Sequence, residues 1–131
     1  MRRMLVGAVL MMSLFAVAGM PSHASGAVSR QWAIVTFPDP VMVQRNLLMG
    51  SYLVVHDDAR MARGEPCTSI YRFVPGHGPQ ALEVEFMCKP DQRTVCDKTT
   101  LSVRRNAATG FNELVWYQFA GDSEVHGIPT H

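Results

Sequence analysis

Apolar and polar residues alternate with a period of two along most of the chain beyond residue 30, the signature of half-buried strands. QWAIVTF (31–37) reads as a strand that ends at Pro38 and Pro40, which cannot donate to a ladder. VMVQRNLL (41–48) reads as a second strand, and Gly50 separates it from SYLVVHD (51–57), rich in β-branched and aromatic residues. CTSIYRFV (67–74) and ALEVEFMC (81–88) flank the turn-rich PGHGPQ, and TTLSVRR (99–105) and NELVWYQF (112–119) flank NAATGF. From about residue 120 the tail AGDSEVHGIPTH reads as irregular, with room for one short edge strand. Six or seven short strands with turn signals between them predict an all-β domain, either a small antiparallel β-sandwich or an open barrel.

One segment breaks the pattern. Near residues 58–63, DARMAR contains good helix formers, and Asp57 stands where an N-cap belongs. Arg60 and Arg63 fall toward the C-terminal end, Gly64 suits the left-handed closing position, and Pro66 forbids continuation. A helix this short is marginal alone, so it must lean on the sheet through Met61.

The first residues have another character. Arg2 and Arg3 precede an apolar run over residues 4–19, and Ser22-His23-Ala24 supplies small residues where a signal peptidase reads. Residues 1–24 therefore read as a secretory signal cleaved before Ser25, which makes residues 25–131 a single exported domain, periplasmic or extracellular. The apolar run is short for a membrane span, and no transmembrane segment is expected in the mature chain. Cleavage removes two of the twelve basic side chains and none of the eleven acidic ones, so the net charge becomes −1. A nearly neutral chain offers no electrostatic case for nucleic acid.

An oxidising destination gives the cysteines weight. Cys67, Cys88 and Cys96 allow one disulfide, and their spacing fits neither a CxxC pair nor a zinc motif. If residues 75–80 form the hairpin loop, Val74 faces Ala81 and Cys67 faces Cys88. The same register sets Phe73 against Leu82, Tyr71 against Val84, Ser69 against Phe86 and Arg72 against Glu83. A Cys67–Cys88 bridge is the favoured expectation, worth about 3 kcal/mol by loop closure. A Cys88–Cys96 bridge and the absence of any bridge remain as alternatives. With the favoured pairing, Cys96 is a free thiol or an intermolecular partner.

Donor side chains crowd VVHDDARMARGEPC (54–67). His56, Asp57, Asp58, Met61, Cys67 and the distant His126 offer nitrogen, oxygen and sulfur of the kind that binds zinc or copper. Helix punctuation and the disulfide account for Asp57 and Cys67. His56, Asp58, Glu65 and His126 are left as the candidate ligand or metal site, and no cofactor is required by the pattern. A hydrolase would use His56 as base with an aspartate to orient it, but no nucleophile motif accompanies them. Trp32, Tyr52, Tyr71, Trp116 and Tyr117 are expected mainly in packing, although Trp116 and Tyr117 must point to opposite faces of one strand. The leading expectation is a non-enzymatic module that binds a small ligand, an envelope component or a protein. A metal-binding protein using His56, Asp58 and His126 comes second and a small hydrolase third.

GSYLVVHDDARMARGEPCTSIYRF, then FMCKP and YQFAGDSEVHGIP, resemble a family of small exported bacterial β proteins of acidobacterial type, which has no assigned activity. The resemblance spans roughly residues 35–129, and its most specific part is the HDD-helix-GxPC segment. In that pattern a histidine often precedes the second cysteine, where this chain has Met87, which weakens a metal site built around Cys88. A cysteine at position 96 is not part of it, which agrees with Cys67 and Cys88 as the shared pair.

Overall fold

The computed structural model describes residues 30–130. The expected signal (1–24), the first residues of the expected domain and His131 lie outside them. Eight strands and one short helix follow in order: β1 (Arg30–Val43), β2 (Asn46–Asp57), α1 (Asp58–Ala62), β3 (Thr68–Val74), β4 (Gly78–Phe86), β5 (Lys89–Gln92), β6 (Thr100–Arg105), β7 (Asn112–Gln118) and β8 (Glu124–Gly127). The architecture is all-β with a short helix, as the alternation implies. One open mixed sheet runs β4-β3-β2-β1-β7-β8-β5, with β6 on the other side of β7. Its only parallel pairing among the described residues is brief, Val41 and Met42 of β1 beside Asn112 and Glu113 of β7. The sheet is thus two antiparallel units, β1–β4 and β5–β8, hinged along one short seam.

The units share a core because the sheet curls. Val35, Phe37, Tyr52, Val54, Ile70, Val84 and Phe86 from the first meet Leu114, Tyr117 and Phe119 from the second, all buried. The Thr68 and Tyr117 hydroxyls hydrogen-bond across the interior, joining β3 to β7. Tyr117 is buried and its neighbour Trp116 partly exposed, as alternation on one strand demands. The curl also brings the sheet's two ends together. β4 and β5 lie at opposite ends of the pairing order, yet only Met87 and Cys88 separate them in the chain.

Four expectations about strands need correction. Residues 41–48 are not one strand but the β1–β2 hairpin, with Gln44 and Arg45 in its turn and Val43 facing Asn46. Pro38 and Pro40 do not end a strand; β1 runs through them as a bulge in which three exposed residues oppose one on β2, since Phe37 pairs with Gly50 and Val41 with Leu48. A bulge leaves residues unpaired, so prolines without N–H groups lose no ladder bond there. Gly50, at φ +99°, lets β2 run unbroken through the opposite position. The β3–β4 register also differs. Thr68 faces Phe86, Ile70 faces Val84, Tyr71 faces Leu82 and Phe73 faces Pro79. The expected pairs of Ser69 with Phe86, Tyr71 with Val84, Phe73 with Leu82 and Arg72 with Glu83 are absent, because the loop is shorter than assumed: Val74 already faces Gly78. Finally, the one short strand expected in the otherwise irregular tail forms, but not at an edge. Residues 124–127 form β8, which is paired on both sides, with β7 and with β5. The edge strand is instead β5, in a segment read as polar loop.

α1 forms as its punctuation requires. The Asp57 carboxylate accepts the backbone N–H groups of Ala59 at 2.9 Å and Arg60 at 3.3 Å. Gly64 takes φ +72° after the last turn, and Met61 packs against the core. Asp57 also donates its own N–H to the Cys67 carbonyl at 2.9 Å, so the helix ends start and finish side by side.

Candidate metal centre

β2 sends Tyr52, Val54 and His56 inward on alternate residues, so the third is buried for the reason the first two are. β8 does the same for His126, trapped between β7 and β5. Cys88 enters from the two-residue link between the sheet's ends, and Cys67 from the segment just before β3. Both histidines have no exposed surface, and Cys67 and Cys88 are buried beside them. One donor atom from each of His56, Cys88 and His126 falls within 4.8 Å of the other two. Cys88 Sγ lies 3.5 Å from His126 Nδ1, inside the roughly 3.3–3.8 Å that separates nitrogen and sulfur donors around a tetrahedral ion.

The two imidazole rings lie against each other, tilted by 39°. The His56 and His126 centroids are 4.1 Å apart, and Tyr117 stacks on the other side of His126 at 4.8 Å. Neither nitrogen of His56 has a hydrogen-bond partner among the described residues, nor does Nε2 of His126. Asp58 Oδ1 comes within 3.3 Å of His56 Nδ1 and Glu124 Oε1 within 3.6 Å of His126 Nδ1. The Asp58 contact is an ion-pair distance without hydrogen-bond alignment. Buried polar atoms without partners are rare and costly. Three in one cluster call for a missing partner.

Burial also sets the protonation states. Desolvation, reinforced by the neighbouring His56, holds His126 down at about 4. Desolvation lowers His56 as well, against the opposing pull of Asp58. Both imidazoles are therefore neutral near pH 7, the form in which histidine donates to a metal. Cys88 is pushed up to about 12 by burial and by its contact with Cys67, so the metal-free cluster carries a thiol. Glu124 is raised by burial and by Asp122 beside it.

Of the residues singled out from sequence, His56 and His126 meet. Asp58 sits at the rim with its side chain half exposed. Glu65 belongs elsewhere. Its two oxygens each accept from Arg63 at 3.0 Å on the exposed face of α1, which holds its carboxyl below the ordinary range. Cys88, assigned by spacing to a disulfide, is the donor that sequence reasoning missed here. Cys67 and Cys88 do come together, at 3.2 Å between sulfurs, but as two thiols. Cys96 is a third thiol, donating to the Phe119 carbonyl at 3.3 Å.

A second feature lies on the opposite side of β1–β4. Trp32, Ile34, Leu53, Phe73 and Pro79 line a shallow groove of about 580 Å³, with Trp32 64% exposed.

Comparison with known protein families, with curated proteins and with solved structures returns no match for this chain. No helix among the described residues is long and apolar enough to cross a membrane.

Proposed function

We propose that this is an exported metal-binding β-domain, holding zinc or copper through His56, Cys88 and His126. One observation carries the reading: three convergent, buried donors from three chain segments, with three imidazole nitrogens that have no hydrogen-bond partner among the described residues. Two imidazoles and one thiolate form a borderline-to-soft set, which favours zinc or copper over magnesium or calcium. Asp58 stands at Nδ1 of His56, where a carboxylate orients a ring that ligates through its other nitrogen. Export is part of the proposal and rests on the N-terminal sequence; kinship with the small exported proteins is part of it too and rests on the HDD-helix-GxPC segment. Binding a metal requires the Cys88 proton to leave, so uptake should release acid.

Elemental analysis of the chain purified without a polyhistidine tag tests this. Zinc or copper near one equivalent is expected, and it should be lost in His56→Ala and His126→Ala. A chain that remains metal-free after incubation with either ion, then desalting, would overturn the reading.

A hydrolase gains nothing from the geometry, because His56 makes no hydrogen bond to a hydroxyl among the described residues. A binding module for a protein or envelope component is a second reading, favoured by the exposed Trp32 and Ile34 beside the outer groove. Quenching of Trp32 fluorescence on addition of a partner, absent in Trp32→Phe, tests that reading.

A further inference from the structure

Cys67 is the unexplained member of the cluster. It is as buried as the histidines, and its sulfur accepts the Cys88 backbone N–H at 3.3 Å. Its sulfur stands 3.2 Å from that of Cys88, closer than two sulfurs rest without a reason to meet. Neither residue lies within a strand: Cys67 precedes β3 and Cys88 sits in the link from β4 to β5. Cys67 keeps one backbone bond to β2, from the Asp57 N–H to its carbonyl, and the link that carries Cys88 is left to supply the shift of about 1 Å toward the 2.05 Å of a disulfide.

We propose that Cys67 and Cys88 form a dithiol–disulfide couple that decides whether the His56–Cys88–His126 centre holds a metal. The proposal rests on the metal reading above. With both sulfurs reduced, Cys88 supplies the thiolate that completes the donor set. A hydroperoxide, small enough to reach a buried sulfur, supplies the oxidising step. The Cys88 sulfur attacks one peroxide oxygen, the O–O bond breaks, and water leaves with the thiol proton, giving a sulfenic acid. The Cys67 sulfur then attacks the Cys88 sulfur, the S–S bond forms, and the oxygen departs as a second water with the Cys67 proton. Two thiols lose two electrons and two protons, and hydrogen peroxide becomes two waters. A disulfide sulfur carries no anionic lone pair, so the centre falls to two imidazoles, too few to hold an ion against water. A dithiol reverses the change by exchange and is itself oxidised. Cys96 stands apart, tied to the Phe119 carbonyl.

The test uses the Cys96→Ser chain, to remove the third thiol, in reduced form and after treatment with hydrogen peroxide and desalting. Cobalt(II) serves as probe, since sulfur-to-cobalt charge transfer reports the thiolate. The reduced chain should bind with that absorption. The oxidised chain should lose two hydrogens by mass and give a linked Cys67–Cys88 peptide. It should bind cobalt on the order of 100-fold more weakly, and a dithiol should restore binding. Cys67→Ser, or Cys67→Ala, should bind cobalt and form no bridge. A bridged chain that binds within about threefold of the reduced one overturns the couple while leaving the metal centre intact. Failure of peroxide to link the two cysteines does the same. Failure of the reduced chain to bind overturns both proposals.

Discussion

Two polar groups drawn from residues 54–67 end in opposite environments. In and around α1, Asp57, Arg60, Arg63 and Glu65 lie at the surface, each matched by a backbone amide or an opposite charge at 2.9–3.7 Å. One residue before Asp57, His56 turns inward and keeps two nitrogens without hydrogen bonds. Water would tolerate mismatches in the first group, and there are few. The interior tolerates none cheaply, and there they gather. Satisfied polarity at the surface is what folding alone produces. Unsatisfied polarity in the core, facing a second histidine and a thiol, is what the proposed metal would answer.

The contrast is sharpened most by His126→Phe, which keeps a ring against Tyr117 and removes both nitrogens. Metal affinity should fall on the order of 100-fold in a calorimetric titration. The metal-free variant should unfold at an equal or higher denaturant midpoint, since a buried unpaired nitrogen disappears. A marked loss of metal-free stability would mean the histidine is there for packing.

Acid probes the same atoms. His126 binds its proton at about 4 in the folded chain against 6.5 ordinarily, so between those values the unfolded chain holds more protons. Stability of the metal-free protein is then full above about pH 6.5 and declines as pH falls toward 4, by a few kcal/mol. His56, lowered too, adds in the same direction. Urea melts at several pH values measure this, and a flat profile through that window would break the comparison.

On the surface side the effects shrink. Asp57→Ala removes the acceptor for two helix amides and should cost about 1 kcal/mol. Glu65→Ala opens an exposed ion pair and should change stability by less than about 0.5 kcal/mol, measured by thermal melting. An equal loss from both variants would show that the pair with Arg63 matters as much as the cap.

The surface group was legible in the sequence because its causes are local. Asp57, Gly64 and Pro66 act within a few residues of themselves, and the helix formed as they dictate. Alternation made residues 31–37 and 51–57 legible as parts of β1 and β2, but the hairpin turn at Gln44 and Arg45 leaves no mark in it, so 41–48 read as one strand. The β3–β4 register was not, because it depends on a turn that closes at Gly78 and on bulges no periodicity records. β8 was legible only as a short edge strand, because burial between two neighbours comes from tertiary pairing. The meeting of Cys88 with His126 joins residues 38 apart in the chain. The signal that was available is parity: His56 continues the inward series of Tyr52 and Val54, where a polar side chain is out of place.

The bulge at Pro38-Asp39-Pro40 makes the length of β1 matter in a particular way. Three residues there stand against one on β2, so Val35 and Phe37 before it and Val41 and Val43 after it all reach the same core. The strand reads its own length as odd or even. Losing two residues from the bulge would leave every inward side chain inward, while losing one would turn half the strand inside out. Among descendants of this sequence, that segment should therefore change in steps of two.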